Sequence, residues 1–208
     1  MKNSIKLKWL GHSCFRVEAE DYVIIMDPYA NQYVPGLHDL KESANLVLCS
    51  HDHEDHGCAS IIKIMRSALK DPFDISYVEC PHDDAGGALR GMNKIYILEY
   101  NGIRIAHFGD IGCPLTKEQI SALGRLDCAM VPVGGHYTME PGKIKEMVDA
   151  LKVKVVIPMH YRSANFGFPI IGTLDSYLTL CNDVKKYPSD TIEITDNMEK
   201  QTAVLVYR

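Results

Sequence analysis

The chain has 208 residues, with 22 Lys and Arg against 27 Asp and Glu and a formal net charge of −5. That balance lacks the basic footprint of a nucleic-acid binder, so no nucleic-acid partner is expected. The length suits a single domain over 1–208, and no stretch is apolar enough for long enough to suggest a membrane segment.

Alternation over Ile5, Leu7 and Trp9 predicts a strand with one buried face, and a second strand runs from Cys14 to Glu18 after Gly11-His12-Ser13. A turn at Glu20-Asp21 leads into Tyr22 to Met26, which is apolar and β-branched and ends at Asp27-Pro28. This opening meander delivers His12 and Asp27 at strand ends. Residues 29–45 have no sustained period and read as a loop. A short apolar run, Leu46 to Cys49, then reaches Ser50 and the string HDHEDHG from His51 to Gly57. Ile61, Ile62, Met65 and Leu69 lie at helical spacing and predict an amphipathic helix from Cys58 to Lys70, stopped by Asp71-Pro72.

A strand near Ile75 to Val78 precedes Cys80-Pro81-His82 and a glycine-rich segment, Asp83 to Gly91. Asn101-Gly102, between Lys94 to Tyr100 and Ile103 to Phe108, is a strong hairpin signal, and that hairpin runs into Gly109-Asp110. Thr116 and Gln119 form a capping box for a helix through Leu123. Cys128 to Val133 reads as a buried strand ending at Gly134-Gly135-His136-Tyr137. Pro141 opens a helix with the stripe Ile144, Met147, Val148 and Leu151, and Val153 to Met159 is another buried strand ending at His160. A helix near Leu174 to Lys185 and strands Ile192 to Thr195 and Ala203 to Tyr207 complete the chain. The seven cysteines form no C-x-x-C pair and mostly sit in apolar runs, which predicts buried free thiols in a reducing, cytoplasmic compartment.

The chemistry concentrates at His51, His53, Asp55 and His56. Imidazole and carboxylate together suit a borderline metal such as zinc, both binding at about 2 Å. His51 and His53 are two apart, so an extended backbone points them the same way, whereas the adjacent Asp55 and His56 suit a second ion. Several other candidate strands end on His or Asp beside glycine or proline: His82, Asp110 and His160. Rigid strand ends are where α/β proteins build sites.

The order His51-x-His53-x-Asp55-His56, His82, Gly109-Asp110, His160 resembles the metallo-β-lactamase superfamily. The strings GHSCF, MDP, HFGDIG, VPVGG and PMHY look like the branch of L-ascorbate 6-phosphate lactonases and N-acylphosphatidylethanolamine-hydrolysing phospholipases. The resemblance implies an αββα sandwich of two mixed β-sheets flanked by helices, with the site along one edge. It implies two divalent ions, with zinc favoured and manganese or iron also suited to the ligands. His51, His53 and His82 would hold one ion and Asp55, His56 and His160 the other, with Asp110 bridging. It also implies that Asp27 buttresses the His-rich loop by hydrogen bonds.

The expectation is therefore a hydrolase in which the two ions share a hydroxide, Asp55 orients it, and no side-chain nucleophile is needed. His12 is a candidate to support the ligand residues from behind, and His136, Arg90 and Arg162 are candidates for substrate binding. His38 and His107 read as structural. The apolar loop Ser163 to Gly172 and the loop 29–45 leave the same putative edge. Phe166, Phe168 and Ile170 should therefore line a pocket for a small anionic ester or lactone, or else meet another subunit of a homo-oligomer. The alternatives are a diiron redox protein related to flavodiiron proteins and a nuclease of the same fold. Histidine at 53, where flavodiiron proteins carry a carboxylate, and the compact acidic chain weigh against them.

Overall fold

The computed structural model describes residues 3–65 and 70–208. Strands β1 (Ile5–Gly11), β2 (Cys14–Ala19) and β3 (Tyr22–Met26) form the expected antiparallel meander. After β4 (Ser43–Ala44), β5 (Leu46–Leu48) lies parallel to β3, with Met26 opposite Leu48. The helix expected from Cys58 to Lys70 is not formed over 58–65, the described stretch of that span. A 3-10 turn, Ala59–Ile61, gives way to strand β6 (Lys63–Ile64), which pairs with β4, while Leu69 lies outside the described residues. The apolar residues there serve a small separate cluster in which Ile62 packs with Leu40, Ala44 and Ile25.

Strands β7 (Asp74–Pro81), β8 (Met92–Tyr100) and β9 (Ile103–His107) follow, then helix α1 (Lys117–Leu123) and strand β10 (Cys128–Pro132). Helix α2 (Pro141–Ala150), strand β11 (Val155–Met159), helix α3 (Asp175–Leu178) and strands β12 (Val184–Lys186), β13 (Thr191–Ile194) and β14 (Gln201–Val204) complete the order. The hairpin turn falls on Asn101-Gly102, both at positive φ, and the Thr116–Gln119 capping box is present in both directions. The long helix expected over 174–185 is cut to four residues. Its tail instead forms edge strand β12, parallel to β14, with Asp183 accepting from the Thr202 hydroxyl at 3.0 Å. The last strand begins two residues earlier than the alternation predicts and stops at Val204.

Two mixed sheets result, ordered β13-β1-β2-β3-β5 and β12-β14-β11-β10-β9-β8-β7. One continuous core joins them, with Ile5, Leu7, Phe15 and Val17 from the first and Ile95, Ile97, Ile105, Met130 and Ile157 from the second. Helix α2 buries Ile144, Met147 and Val148 of its apolar stripe. This is the αββα sandwich expected of the fold. All seven cysteines are free, but only Cys14, Cys80 and Cys128 are buried; Cys49, Cys58, Cys113 and Cys181 are half-exposed, contrary to the expectation that most would be buried. Among the described residues, no helix is long and apolar enough to cross a membrane.

Strand direction positions the chemistry. β3 and β5 run parallel, so Asp27 and Ser50 leave the same sheet edge, and β1 has the same sense and adds His12. In the second sheet β9, β10 and β11 are parallel, and β7 runs in their direction through β8. Their C-terminal ends carry His82, Asp110 and His160. Truncating Ile105, fully buried between the layers, to alanine should cost about 2–5 kcal/mol in urea unfolding without loss of native β signal.

Candidate metal centre

Asp27 lies at the bottom of the site, fully buried. The Ser50 backbone N–H donates to Asp27 Oδ1 at 2.7 Å, and the Ser50 hydroxyl donates to Oδ2 at 2.6 Å. His56 Nδ1 lies 2.7 Å from the same Oδ2 and donates to it, since a carboxylate only accepts. With its proton committed to Asp27, Ser50 Oγ accepts from His51 Nδ1 at 2.9 Å. The network therefore assigns protons to the Nδ1 atoms of His51 and His56 and leaves both Nε2 atoms as bare acceptors. Burial works against charge on Asp27, but the imidazoles of His107 and His56 beside it hold its carboxyl below the usual range.

Asp110 is placed by its own frame. Asn93 Oδ1 accepts the Asp110 N–H at 2.9 Å, and its amide donates to the Phe108 carbonyl, also at 2.9 Å. Gly109, at φ +51°, allows the close approach: a Cβ there would lie 2.1 Å from Asn93 Oδ1 and 2.6 Å from Ser50 Cβ. His107 is structural, as expected. It accepts from the Gly109 N–H at 3.1 Å and so donates through Nε2 to the Ser13 carbonyl at 2.8 Å. His38 stacks on Tyr207, and its backbone N–H donates to the Tyr207 hydroxyl.

The far-apart residues converge. Asp110 Oδ1 lies 3.3 Å from His56 Nε2, and Oδ2 lies 3.1 Å from His160 Nε2 and 3.5 Å from His82 Nε2. Asp55 Oδ2 is 3.3 Å from His12 Nε2, 3.8 Å from His56 Nε2 and 4.0 Å from His160 Nε2. The potential ligand atoms fall into groups within 4.8 Å of one another: His51, His53 and His82; His12, Asp55, His56 and His160; and His51, His56 and Asp110. The first two match the two ion sites implied by the sequence resemblance, except that His12 joins the second.

The donor chemistry fits a cation. His51 Nε2, His56 Nε2, His160 Nε2 and Asp110 Oδ1 are all buried without a hydrogen-bond partner, although they face one another. Converging lone pairs repel unless a proton or a metal ion lies between them. Without a metal, His56 takes the proton. Burial opposes its charge, yet Asp110 and Asp55 raise its pKa well above the ordinary imidazole value. Burial also opposes ionisation of Asp110 and Asp55, but His160 and His56 beside Asp110, and His56 and His12 beside Asp55, hold both carboxyls below their usual range. Burial pushes His12 down to about 4 and His51 down to about 3. His12, Asp27 and His160 all take left-handed backbone conformations, at φ +49°, +47° and +53°.

A cavity of about 420 Å³ opens over this cluster, lined by His53, Asp55, His82 and Asp110 with Tyr33, Asp52, Glu54, Arg90, Tyr137 and Phe168. Both expected loops contribute, through Tyr33 and Phe168, whose rings meet edge-on at 5.7 Å. Arg90 is on the wall of this cavity. Arg162 is not: its Nε donates to the Ile171 carbonyl at 2.8 Å, and its side chain lines a different hollow with Trp9, Tyr161 and Phe166. Arg162 departs from the edge because residues past a strand end alternate in direction, and Gly172 captures its backbone. Phe166 likewise leaves the pocket for the Trp9, Tyr161 and Tyr207 rings, and Ile170 is exposed. His136 is exposed and packs on Tyr137, which takes its place on the cavity wall. Sequence reasoning missed Ser50, Asn93 and Asp83; Ser50 and Asp83 adjoin ligand-type residues in the chain, and Asn93, between Met92 and Lys94, has no such neighbour.

This fold has known counterparts. A family model described as "Beta-lactamase superfamily domain" matches residues 6–160. The chain therefore belongs to that family, as a metal-dependent hydrolase of the metallo-β-lactamase fold. It is 26% identical to a UPF0173 metal-dependent hydrolase of Hyperthermus butylicus, over 79% of this chain and 85% of that one. It is 28% identical to a UPF0173 metal-dependent hydrolase of Pyrococcus abyssi, over 91% and 100%. A Thermotoga maritima protein, taken to be a Zn-dependent hydrolase of the metallo-beta-lactamase superfamily, superposes with a TM-score of 0.79 at 29% identity, over 98% of this chain and 100% of that one.

The depressed histidines set an acid sensitivity for metal-free protein. A histidine held neutral in the fold, with its pKa below the ordinary 6.5, contributes stability that is fully present above 6.5 and lost as pH falls. Urea midpoints of metal-free protein should therefore fall between pH 6.5 and about 4, with His12→Asn flattening that slope.

Proposed function

We propose that this chain hydrolyses a small ester, lactone or phosphodiester with two divalent ions, zinc favoured, held by His51, His53 and His82 on one side and Asp55, His56 and His160 on the other, with Asp110 between. The observation that carries this reading is the convergence of unpartnered buried acceptors, His51 Nε2, His56 Nε2, His160 Nε2 and Asp110 Oδ1, on one point from two sheets. Asp110 lies 3.1–3.5 Å from imidazole nitrogens of both groups, so its carboxylate is placed to serve ions held by either. The likeness to a Thermotoga maritima protein taken to be Zn-dependent supports zinc. The resemblance of GHSCF and PMHY to the lactonase and phospholipase branch supports the bond types.

Bound ions of this kind act as Lewis acids toward a carbonyl or phosphoryl oxygen and make water nucleophilic near neutral pH. The chain's own residues do the rest. Asp55 lines the cavity, and its carboxylate is the base that can accept a proton from the attacking water, which needs it ionised. His12 Nε2, 3.3 Å from Asp55 Oδ2, is a positioning residue that fixes this carboxylate. Asp27 and Ser50 hold the His51 and His56 rings with Nε2 inward. Phe168 and Tyr33 wall off water from one side of the reacting group. No serine or cysteine nucleophile is required, and the whole chain acts as one domain.

Metal analysis of protein purified without chelator should find two ions per chain, and a panel of esters, lactones and phosphodiesters should include a substrate whose cleavage stops on chelation. Asp110→Ala and His160→Ala should abolish that cleavage and lower the metal content to one ion or fewer, with the far-UV spectrum intact. Asp27→Asn should weaken metal affinity by about 10–100-fold. A folded protein that takes up a single ion at saturating zinc, manganese and iron would rule out the dinuclear site.

A further inference from the structure

The segment from Asp83 to Gly91 joins His82 to β8 and takes no part in the chemistry above. One carboxylate dictates its conformation. Asp83 Oδ1 accepts the backbone N–H groups of Ala85 and Gly87, both at 2.8 Å, and Oδ2 accepts those of Leu89 at 2.9 Å and Arg90 at 2.7 Å. Four charge-assisted hydrogen bonds satisfy loop amides that would otherwise turn to water. The His82 N–H donates to the Gly91 carbonyl at 3.0 Å, so the loop closes on the candidate ligand itself.

Arg90 is thereby fixed relative to His82. Its guanidinium lies over the Tyr137 ring, 5.4 Å from the centroid, and both side chains line the cavity above the metal centre. Among the described residues no carboxylate pairs with Arg90. The acidic groups on the same cavity are Asp55 and Asp110, engaged with the histidines, and the exposed Asp52 and Glu54. A half-buried guanidinium stacked on an aromatic face presents a planar donor fork matched to an oxyanion. Tyr33 and Phe168 give the cavity an apolar wall as well.

We propose that Arg90, held by the Asp83-clamped loop and stacked on Tyr137, binds an oxyanion, carboxylate or phosphate, at the end of the substrate remote from the bond that is cut. The substrate class is then a small hydrolysable molecule with an anionic tail, its apolar part against Tyr33 and Phe168. The placing of the scissile bond rests on the hydrolase reading above. Asp83 is a positioning residue that acts through the loop.

Calorimetric titration of the metal-loaded full chain tests this without turnover. The probes are ω-phosphonocarboxylates and α,ω-bisphosphonates of two to five methylenes, each compared with the alkylphosphonate of equal length. At the best length the second anion should tighten binding by about 10–100-fold, as charged hydrogen bonds do, and the better tail identifies carboxylate or phosphate. Arg90→Gln should reduce that gain to about twofold or less, Arg90→Lys should keep part of it, and Asp83→Ala should lose it as Arg90→Gln does. A gain absent at every length in the wild type, or equally large in Arg90→Gln, overturns the proposal. An Arg90-dependent gain in a chain that cleaves none of the ester, lactone and phosphodiester panel would leave the anion site standing and remove the hydrolase reading.

Discussion

The carboxylate of Asp27 is the contact on which the site depends. It sits where two parallel strands, β3 and β5, end side by side, and it reaches the Ser50 backbone together with the Ser50 and His56 side chains. A buried carboxylate is costly unless both of its oxygens are hydrogen-bonded. Asp27 meets that requirement with the Ser50 N–H, the Ser50 hydroxyl and His56 Nδ1. The same bonds dictate the tautomers of two imidazoles, so one satisfied charge decides which nitrogen atoms face the cavity.

The second constraint is that the centre lies on a seam. His12, Asp27 and the His-rich loop come from the five-stranded sheet, and His82, Asp110 and His160 from the seven-stranded one. The gap is closed by contacts that tolerate no extra atom. Gly109 brings the Asp110 turn against Ser50, where an added Cβ would lie 2.6 Å from Ser50 Cβ. Packing of the shared core therefore sets the 3.3 Å distance between His56 Nε2 and Asp110 Oδ1, which different layers carry.

Much of this was legible in the residues. Period-two alternation marked β1 and β2, Asn101-Gly102 marked a hairpin, and the density of ligand types from His51 to His56 marked the chemistry. What put His82, Asp110 and His160 with them was family likeness, since strand order cannot be read from spacing. The helix expected from Cys58 to Lys70 fails because apolar residues at helical spacing also suit an irregular segment packed under a loop, as Ile62 is. Arg162 was placed at the site from adjacency to His160, but adjacency says nothing about direction past a strand end. The Asp83 clamp left no pattern at all, because its partners are backbone amides, which every residue but proline has.

His12, Asp27 and His160 share one backbone feature, positive φ, in residues other than glycine. Each holds a conformation that costs of order 1–3 kcal/mol and that glycine or asparagine would adopt with less strain. The strain is tolerated because each side chain is engaged at the centre: Asp27 with Ser50 and His56, His12 with Asp55, and His160 with Asp110. Glycine would relieve the backbone and leave those buried partners unsatisfied. Thermostabilisation of this chain has to leave those three residues alone and seek its gains elsewhere.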